Sequence, residues 1–178
     1  MTKRNILEVS QNLGNDFDLP YYIYSKVKTS TNEKVISPLK IGLKITNACH
    51  FRCPYCFVKK EEDYLSFDNL KIIIAKLPQL PYEVYLTGGE ATLHPEFSQI
   101  VDYLVELGIL VKLHTTGVII ENSRKYILSN LEKFSSIQIS IDSIENFDKL
   151  RPNQIDINPL EQICCFVKDC LSRDYQKL

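Results

Sequence analysis

Strands and helices alternate at a nearly constant interval along most of this chain. The apolar segments expected to form the second, third and fourth strands begin at Tyr82, Ile109 and Ser136, about 27 residues apart. Segments with apolar residues at helical spacing lie between them. This interval is typical of β/α units laid side by side in a parallel sheet, because each helix returns the chain to the edge where the next strand starts. The sequence therefore predicts an α/β fold.

The predicted elements start near residue 40. Ser66 is the expected N-cap of the first helix, Pro95 the first residue of the second helix, and Gly108 the residue just past its end. Further helices are expected at residues 122–133 and 146–150. The four strands are expected at residues 41–46, 82–86, 109–114 and 136–141.

Composition fits one domain, or slightly more, with a core of ordinary size. The chain has 178 residues, of which 44% are hydrophobic and 24% charged, and its net charge is -1. These values exclude disordered, collagen-like and coiled-coil proteins, and they argue against a nucleic-acid binder held by a strong positive field. No apolar run approaches the roughly 18 residues that span a bilayer, and the N-terminus lacks the apolar core of a secretory signal. We expect a cytoplasmic protein without a membrane or nucleic-acid partner.

Residues 1–39 differ from the rest and are predicted to form an N-terminal extension, with the folded core in residues 40–178. The extension is polar, has no apolar stripe of helical period, and contains a tyrosine-rich segment typical of an edge strand or hairpin. Two roles stay open for it. It packs against the bottom of the sheet, or it is a short arm that recognises substrate.

Three cysteines, Cys49, Cys53 and Cys56, follow the first predicted strand within eight residues. In a cytoplasmic protein such a cluster is more typical of a metal site or a catalytic site than of disulfides. The loop lies at the carboxyl end of a strand, where parallel α/β enzymes place their chemistry. A structural zinc site usually has four ligands, and an iron-sulfur cube also takes four. Three local thiolates therefore leave one coordination position for another ligand.

The spacing Cys49-x3-Cys53-x2-Cys56, with the aromatic Tyr55 before the third cysteine, resembles the cluster motif of radical S-adenosylmethionine enzymes. The resemblance implies that these cysteines hold a [4Fe-4S] cluster and form the catalytic centre. It also implies that S-adenosylmethionine binds the fourth iron and that Tyr55 lies along its adenine. Residues 40–178 would then be the family's core, a partial (β/α) barrel with about four parallel β/α units.

A second segment supports the resemblance. Gly88, Gly89 and Glu90 follow the second strand and look like the family's GGE motif. Two glycines let the backbone approach a ligand closely, and a carboxylate accepts hydrogen bonds from an ammonium group. The resemblance implies that these three residues bind the methionyl amino group. Without the cysteine loop, the segment is equally typical of a glycine turn with a helix-capping glutamate.

Polar residues also end the third and fourth predicted strands. The turn Thr115-Thr116-Gly117 lies where the family often has Thr-Asn-Gly, and a plain turn explains it as well as a ligand contact does. Ser140 and Asp142 close the fourth predicted strand, where the resemblance implies residues that bind the ribose. The stretch from Ser140 to Pro152 is most similar to the branch of the family with molybdenum-cofactor and peptide-modifying members.

The second group of cysteines lies in the last predicted helix, which is opened by Asn158-Pro159. Cys164 falls on an apolar stripe of that helix and is expected to be a core residue. Cys165 and Cys170 are not expected to hold an auxiliary cluster, because such a cluster would need about four ligands gathered in loops.

The resemblance implies an enzyme that reductively cleaves S-adenosylmethionine to a 5'-deoxyadenosyl radical, which abstracts hydrogen from a substrate. It implies an external electron donor such as flavodoxin or ferredoxin. The sequence does not identify the substrate, and peptide modification and cofactor biosynthesis are analogies only. Because the family's barrel usually has six units, we expect a chain truncated after the fourth unit. A split enzyme completed by a partner chain, and a degenerate protein without turnover, stay open.

The alternative to an enzyme is a non-catalytic module whose three cysteines and one histidine hold zinc, or which keeps an iron-sulfur cluster without turnover. His50 is the histidine nearest the cysteines, but beside Cys49 it is expected to point away from the same metal. His94 is expected to cap the second helix, and the role of His114 is open.

Overall fold

The computed structural model describes residues 39–173, apart from Lys60 and Asp156. Residues 1–38 of the predicted extension lie outside the described residues, so both of its roles stay predictions. The described part forms one sheet of four parallel strands in the order β1-β2-β3-β4. The predicted α/β fold is confirmed. The strands are β1 (Lys40–Thr46), β2 (Glu83–Gly88), β3 (Leu110–Thr115) and β4 (Phe134–Ile139).

Helices follow the strands and cover one face of the sheet. Ser66 caps the first of them as predicted, since its hydroxyl accepts the Asn69 N–H at 3.3 Å. Within the described ranges, no helix is both long enough and apolar enough to cross a membrane. The helices are α1 (Phe67–Ala75), α2 (Phe97–Glu106), α3 (Glu121–Ser129), α4 (Phe147–Leu150) and α5 (Pro159–Leu171).

Helix α2 begins two residues later than predicted. Pro95 is not its first residue, because Glu96 is the N-cap and Phe97 the first helical residue. The His94 imidazole accounts for the later start, since its Nδ1 accepts the Glu96 N–H at 3.0 Å. His94 therefore stabilises the start of α2, in line with the predicted capping role. Gly108 follows the end of the helix with a φ of +74°, as predicted.

Strand β4 begins and ends two residues earlier than predicted. The fully buried Phe134 belongs to the strand, and the pairing of β3 with β4 shifts register between Val111 and Lys112. The Ser140 N–H still donates to the Thr115 carbonyl at 2.9 Å, just past the last strand residue. Ser140 and Asp142 therefore lie in the loop after β4 and not within the strand.

Helix α5 buries a different stripe from the predicted one. Ile163, Phe166 and Cys170 are buried, whereas Cys164 and Cys165 are exposed. The prediction that Cys164 is a core residue is wrong, because the buried side of the helix is centred on Phe166. Burial raises the pKa of the Cys170 thiol to about 11, so this cysteine is a neutral core residue at physiological pH.

Candidate functional site

The cysteine loop, residues 47–56, is held at the carboxyl edge of the sheet by the end of β2. The Gly89 N–H donates to the Thr46 carbonyl at 2.9 Å, and the Glu90 N–H donates to the Ala48 carbonyl at 2.7 Å. The Thr46 hydroxyl accepts the Ala48 N–H at 3.0 Å. These bonds fix the backbone immediately before Cys49.

A tight turn brings the second and third cysteines together. The Cys56 N–H donates to the Cys53 carbonyl at 3.1 Å, and Pro54 occupies the position at which proline favours such a turn. Phe51 is fully buried beneath the loop, where its ring meets the edge of Phe147 with a centroid separation of 5.9 Å. The cysteines are therefore presented by a rigid loop anchored on an aromatic side chain.

The segment after α4 also binds the cysteine loop through its backbone. The Arg52 N–H donates to the Pro152 carbonyl at 2.7 Å, and the Gln154 N–H donates to the His50 carbonyl at 3.1 Å. Phe51 and Asn153 form an isolated antiparallel bridge between them. The loop after the first strand is thus paired with a segment about 100 residues later in the chain.

One cavity of about 180 Å³ lies at the carboxyl edge of the sheet, and all three predicted cluster cysteines line it. The cysteines are half-buried. Every other predicted site residue also lines the cavity, except Glu90 and Asp142. The residues that line it besides the cysteines are Phe51, Tyr55, Thr87, Gly88, Gly89, His114, Thr115, Thr116, Ser140 and Arg151.

The two glycines of the predicted GGE motif make room for the protein backbone. A Cβ on Gly89 would lie 2.3 Å from the Ala48 carbonyl oxygen, and a Cβ on Gly88 would lie 2.5 Å from the Thr46 carbonyl oxygen. Both distances are far below van der Waals contact. The close approach that requires glycine here is therefore that of the cysteine loop to β2, while contact of the glycines with a ligand stays a prediction.

Glu90 occupies a hydrogen-bond network behind the cavity wall. Its side chain is buried, Oε1 accepts from the Thr92 N–H and hydroxyl and from the Thr115 hydroxyl, and Oε2 accepts from the Thr116 N–H and hydroxyl, over 2.6 to 3.1 Å. The carboxylate thus caps the short 3-10 helix Ala91–Leu93 and joins the end of β2 to the end of β3. Direct binding of the methionyl amino group by Glu90 stays a prediction.

Asp142 is bound by two residues of the site. Its Oδ2 accepts a hydrogen bond from the Tyr55 hydroxyl and an ion-paired hydrogen bond from Arg151 Nε. The Arg151 hydrogen bond, and then that of Tyr55, hold the pKa of Asp142 below its usual value. Asp142 therefore positions an aromatic ring of the cysteine loop and a buried cation of the cavity wall. Its predicted contact with a ribose stays a prediction.

We expect Asp142→Asn and Tyr55→Phe to weaken S-adenosylmethionine binding by non-additive factors, with the larger loss in Asp142→Asn. Both changes weaken the Tyr55–Asp142 hydrogen bond, and Asp142→Asn also removes the charge that pairs with Arg151, so the double variant should bind about as weakly as Asp142→Asn alone. Calorimetric titration of the four proteins measures this. Ser140→Ala is the matched control, because Ser140 lines the cavity and its side chain has no hydrogen bond to Tyr55 or Asp142, and its effect should add to that of Asp142→Asn. Additive losses for Asp142→Asn and Tyr55→Phe would contradict the positioning role.

Besides Phe51 and the Thr115-Thr116 turn, which the sequence marked as a possible ligand contact, three further cavity residues were not predicted as site residues, namely Thr87, His114 and Arg151. Thr87 directly precedes the glycines, and His114 lies near the end of a predicted strand, so their places at strand ends could have marked them. Arg151 directly follows helix α4, and no pattern in the neighbouring sequence predicts that the chain turns back to the cavity there. Arg151 is buried, with only 8% of its surface exposed, and it forms an ion pair with Asp142.

The donor set fits an iron-sulfur cluster better than one metal ion. Three cysteine side chains line one cavity and leave room for a ligand that is not from the protein. His50 lines a separate cavity on the other side of the loop, together with Arg52 and Glu62. Within the described part of the chain, no three His, Cys, Asp or Glu side chains are gathered for a single metal ion. A cube holds thiolates farther apart, because each thiolate binds a different iron.

Comparison with known proteins decides the family. A family model described as the radical SAM superfamily matches residues 43–168, from β1 to α5. The chain belongs to the radical SAM superfamily. The predicted family is thereby confirmed, and the cysteine spacing fits the cluster-binding motif of this radical SAM domain.

Curated relatives have several different functions. An S-adenosylmethionine-dependent nucleotide dehydratase of Selenomonas ruminantium is 32% identical over 108 residues, which cover 59% of this chain and 39% of the relative. The sporulation killing factor maturation protein SkfB of Bacillus subtilis is 32% identical over 119 residues, which cover 64% of this chain and 29% of the relative. The radical SAM chain thus spans less than half the length of these relatives.

A solved structure shows the same fold. Streptococcus suis SuiB bound to precursor peptide SuiA matches with a TM-score of 0.57 at 17% sequence identity, over 78% of this chain and 38% of SuiB. At this identity the match supports the fold alone. The partial barrel of radical SAM type, with four parallel units, is therefore confirmed.

Proposed function

We propose that this radical SAM chain is the catalytic core of an enzyme that binds a [4Fe-4S] cluster through Cys49, Cys53 and Cys56 and S-adenosylmethionine in the adjoining cavity. When bound, the cluster and cofactor supply reductive cleavage of the sulfonium, which releases methionine and a 5'-deoxyadenosyl radical. The observation that carries this proposal is the single cavity lined by all three cysteines and by polar ends of the strands.

The residues around the cavity have chemistry that suits the parts of S-adenosylmethionine. The Arg151 guanidinium suits the methionyl carboxylate, because a buried cation pairs well with a carboxylate. Backbone groups of Gly88 and Gly89 are assigned to the amino group, Ser140 to a ribose hydroxyl, and the Tyr55 ring to the adenine. Glu90 holds Thr115 and Thr116 in place on the wall. The chain's own contribution is to bind and orient the cofactor and to exclude water.

The proposed partners follow from the chemistry. Reductive cleavage needs an external one-electron donor, for which we propose a flavodoxin or a ferredoxin. The substrate is a separate question, because the relatives include enzymes named for nucleotides and for peptides. Hydrogen abstraction from a substrate, by this chain alone or with a second chain that completes the barrel, is part of the proposal.

Anaerobic purification followed by iron and sulfide analysis tests the proposal. We expect brown protein with about four irons and four sulfides per chain, and saturable S-adenosylmethionine binding that depends on the loaded cluster. Colourless protein that retains zinc would support the non-catalytic module instead, because zinc is a d10 ion without visible absorption. Iron binding without S-adenosylmethionine binding would support a degenerate protein.

A further inference from the structure

The sheet has an inner face that continues below the cofactor cavity. Thr87 and His114 line the cavity, so their neighbours two positions earlier, Tyr85 and Lys112, lie on the same face because side chains alternate along a strand. The intervening residues Leu86 and Leu113 are fully buried against the helices. Lys44 pairs in register with Thr87, and Tyr85 with Lys112. The inner face is defined here as Lys44, Tyr85, Thr87, Lys112 and His114.

An aromatic floor forms the middle of the inner face. The rings of Tyr85 and His114 are stacked, with centroids 5.2 Å apart and an interplanar angle of 18°. Gly42 on β1 leaves room for this arrangement, since a Cβ there would lie 2.3 Å from Cε2 of Tyr85. The imidazole is therefore held in a fixed plane by its neighbour.

The charge beside this floor is positive. Among the ion pairs formed by the described residues, none involves Lys44 or Lys112. Glu83, below Tyr85 on the same strand face, is ion-paired with Lys40 at 2.8 Å, and its carboxylate only partly offsets the effects that lower the pKa of His114. Burial, and next the Lys112 charge, lower the pKa of His114, so its ring is neutral at physiological pH and serves as a hydrogen-bonding group.

The His114 ring also has an unsatisfied nitrogen. Its Nε2 is buried and has no hydrogen-bond partner within the described part of the chain. A buried polar group without a hydrogen-bond partner destabilises the fold, because it has lost its bonds to water and gained none in return. The same ring lines the cavity, so a polar ligand atom that enters within hydrogen-bond distance of Nε2 would supply the missing partner.

We propose that the inner face is a substrate site that takes a phosphate group between Lys44 and Lys112, with His114 hydrogen-bonding to the same molecule. The proposal rests on the proposed function, since the bound molecule is assigned as the substrate of that site. The two lysines lie two strands apart, on β1 and β3, and are offset by two residues along the strands, because Lys44 is level with Thr87 and Lys112 with Tyr85. Their backbones are therefore about 12 Å apart, a gap that two extended lysine side chains close. Lys44 and Lys112 form no ion pair with another described residue, and they lie beside the uncharged rings of Tyr85 and His114. Their two positive charges favour binding of a phosphorylated small molecule over a neutral one.

Calorimetric titration of the full chain at low ionic strength tests the site, with inorganic tripolyphosphate, adenosine triphosphate and adenosine as probes. We expect saturable binding of both phosphate compounds, whereas any adenosine binding, which the cofactor cavity accounts for, should not respond to changes in Lys44 or Lys112. Lys112→Gln and Lys44→Gln should each weaken tripolyphosphate binding about tenfold, the loss expected for one charge-assisted contact. Lys125→Gln is the matched control, because Lys125 is exposed on α3 and pairs with Glu121, and it should leave binding unchanged.

Lack of saturable tripolyphosphate binding, or an equal loss in Lys125→Gln, would overturn the inference. Tighter adenosine triphosphate than tripolyphosphate binding would identify a nucleotide as the phosphate source, and equal affinities a simpler phosphate ester. Iron content and S-adenosylmethionine affinity are measured on the same proteins and should not change in either lysine variant. If only phosphate binding fails, the proposed function still stands. If the unmodified chain binds neither iron nor S-adenosylmethionine, the proposed function itself fails.

Discussion

Changing any one of Cys49, Cys53 and Cys56 to alanine is expected to remove most of the iron that the chain binds. The iron content per chain should fall about tenfold or more relative to the unmodified protein. Each change removes one of the three cluster ligands that we propose on the loop. The half-buried loop offers no nearby thiol as a replacement among the described cysteines, since the other three lie on α5. Iron and sulfide analysis after anaerobic reconstitution measures the loss.

Cys164→Ala and Cys165→Ala are the matched controls for this result. Both side chains are exposed on α5, so their removal should leave the iron content and the stability of the protein nearly unchanged. Cys170→Ala is a poorer control, because that thiol is fully buried and its loss leaves a cavity. If the exposed α5 cysteines contribute as much iron as the loop cysteines, the assignment of the cluster to the loop is wrong.

The second large effect is expected from Gly89→Ala. The added Cβ would lie 2.3 Å from the Ala48 carbonyl oxygen and 2.5 Å from that of Asn47, so the loop must move just before Cys49. We expect the variant to lose most of its iron as well as its affinity for S-adenosylmethionine. Metal analysis and cofactor titration on the same sample separate the two effects.

Gly108→Ala is the control for Gly89→Ala. Gly108 has a φ of +74° and open space around its Cβ position, so alanine there strains only the backbone, by about 1–2 kcal/mol. That variant should be less stable to denaturant but should keep its iron and its cofactor affinity. Full iron with weakened cofactor binding in Gly89→Ala would instead mean that the glycine is required for approach of the ligand.

Features that depend on residues close together in the chain could be predicted from the sequence. The α/β pattern, the Ser66 cap and the cysteine loop after β1 each depend on residues close together in the chain. The end of β4 and the buried side of α5 were predicted wrongly, because the apolar pattern there is ambiguous. Phe166 and Cys164 are both plausible core residues by composition, and only packing against the rest of the sheet decides between them.

Contacts between segments that are distant in the chain could not be predicted from the sequence pattern. Tyr55 and Asp142 are 87 residues apart, and a carboxylate after a strand is as typical of ribose binding as of holding a tyrosine. Glu90 and Thr116 are 26 residues apart, and their hydrogen bond depends on the parallel order of β2 and β3. Residue type at these positions predicted ligand contacts that stay predictions, while the protein partner of each side chain followed only from the three-dimensional arrangement.

The backbone pairing of Phe51, Arg52 and His50 with residues 152–154 determines when the cluster site is complete. During synthesis, the cysteine loop leaves the ribosome about 100 residues before the segment that holds it. Until residue 154 has folded back, the loop lacks its antiparallel bridge and the ring of Phe51 lacks the Phe147 edge. Assembly of the proposed cluster site therefore waits for residues 152–154, and it depends on the fourth β/α unit as much as on the first.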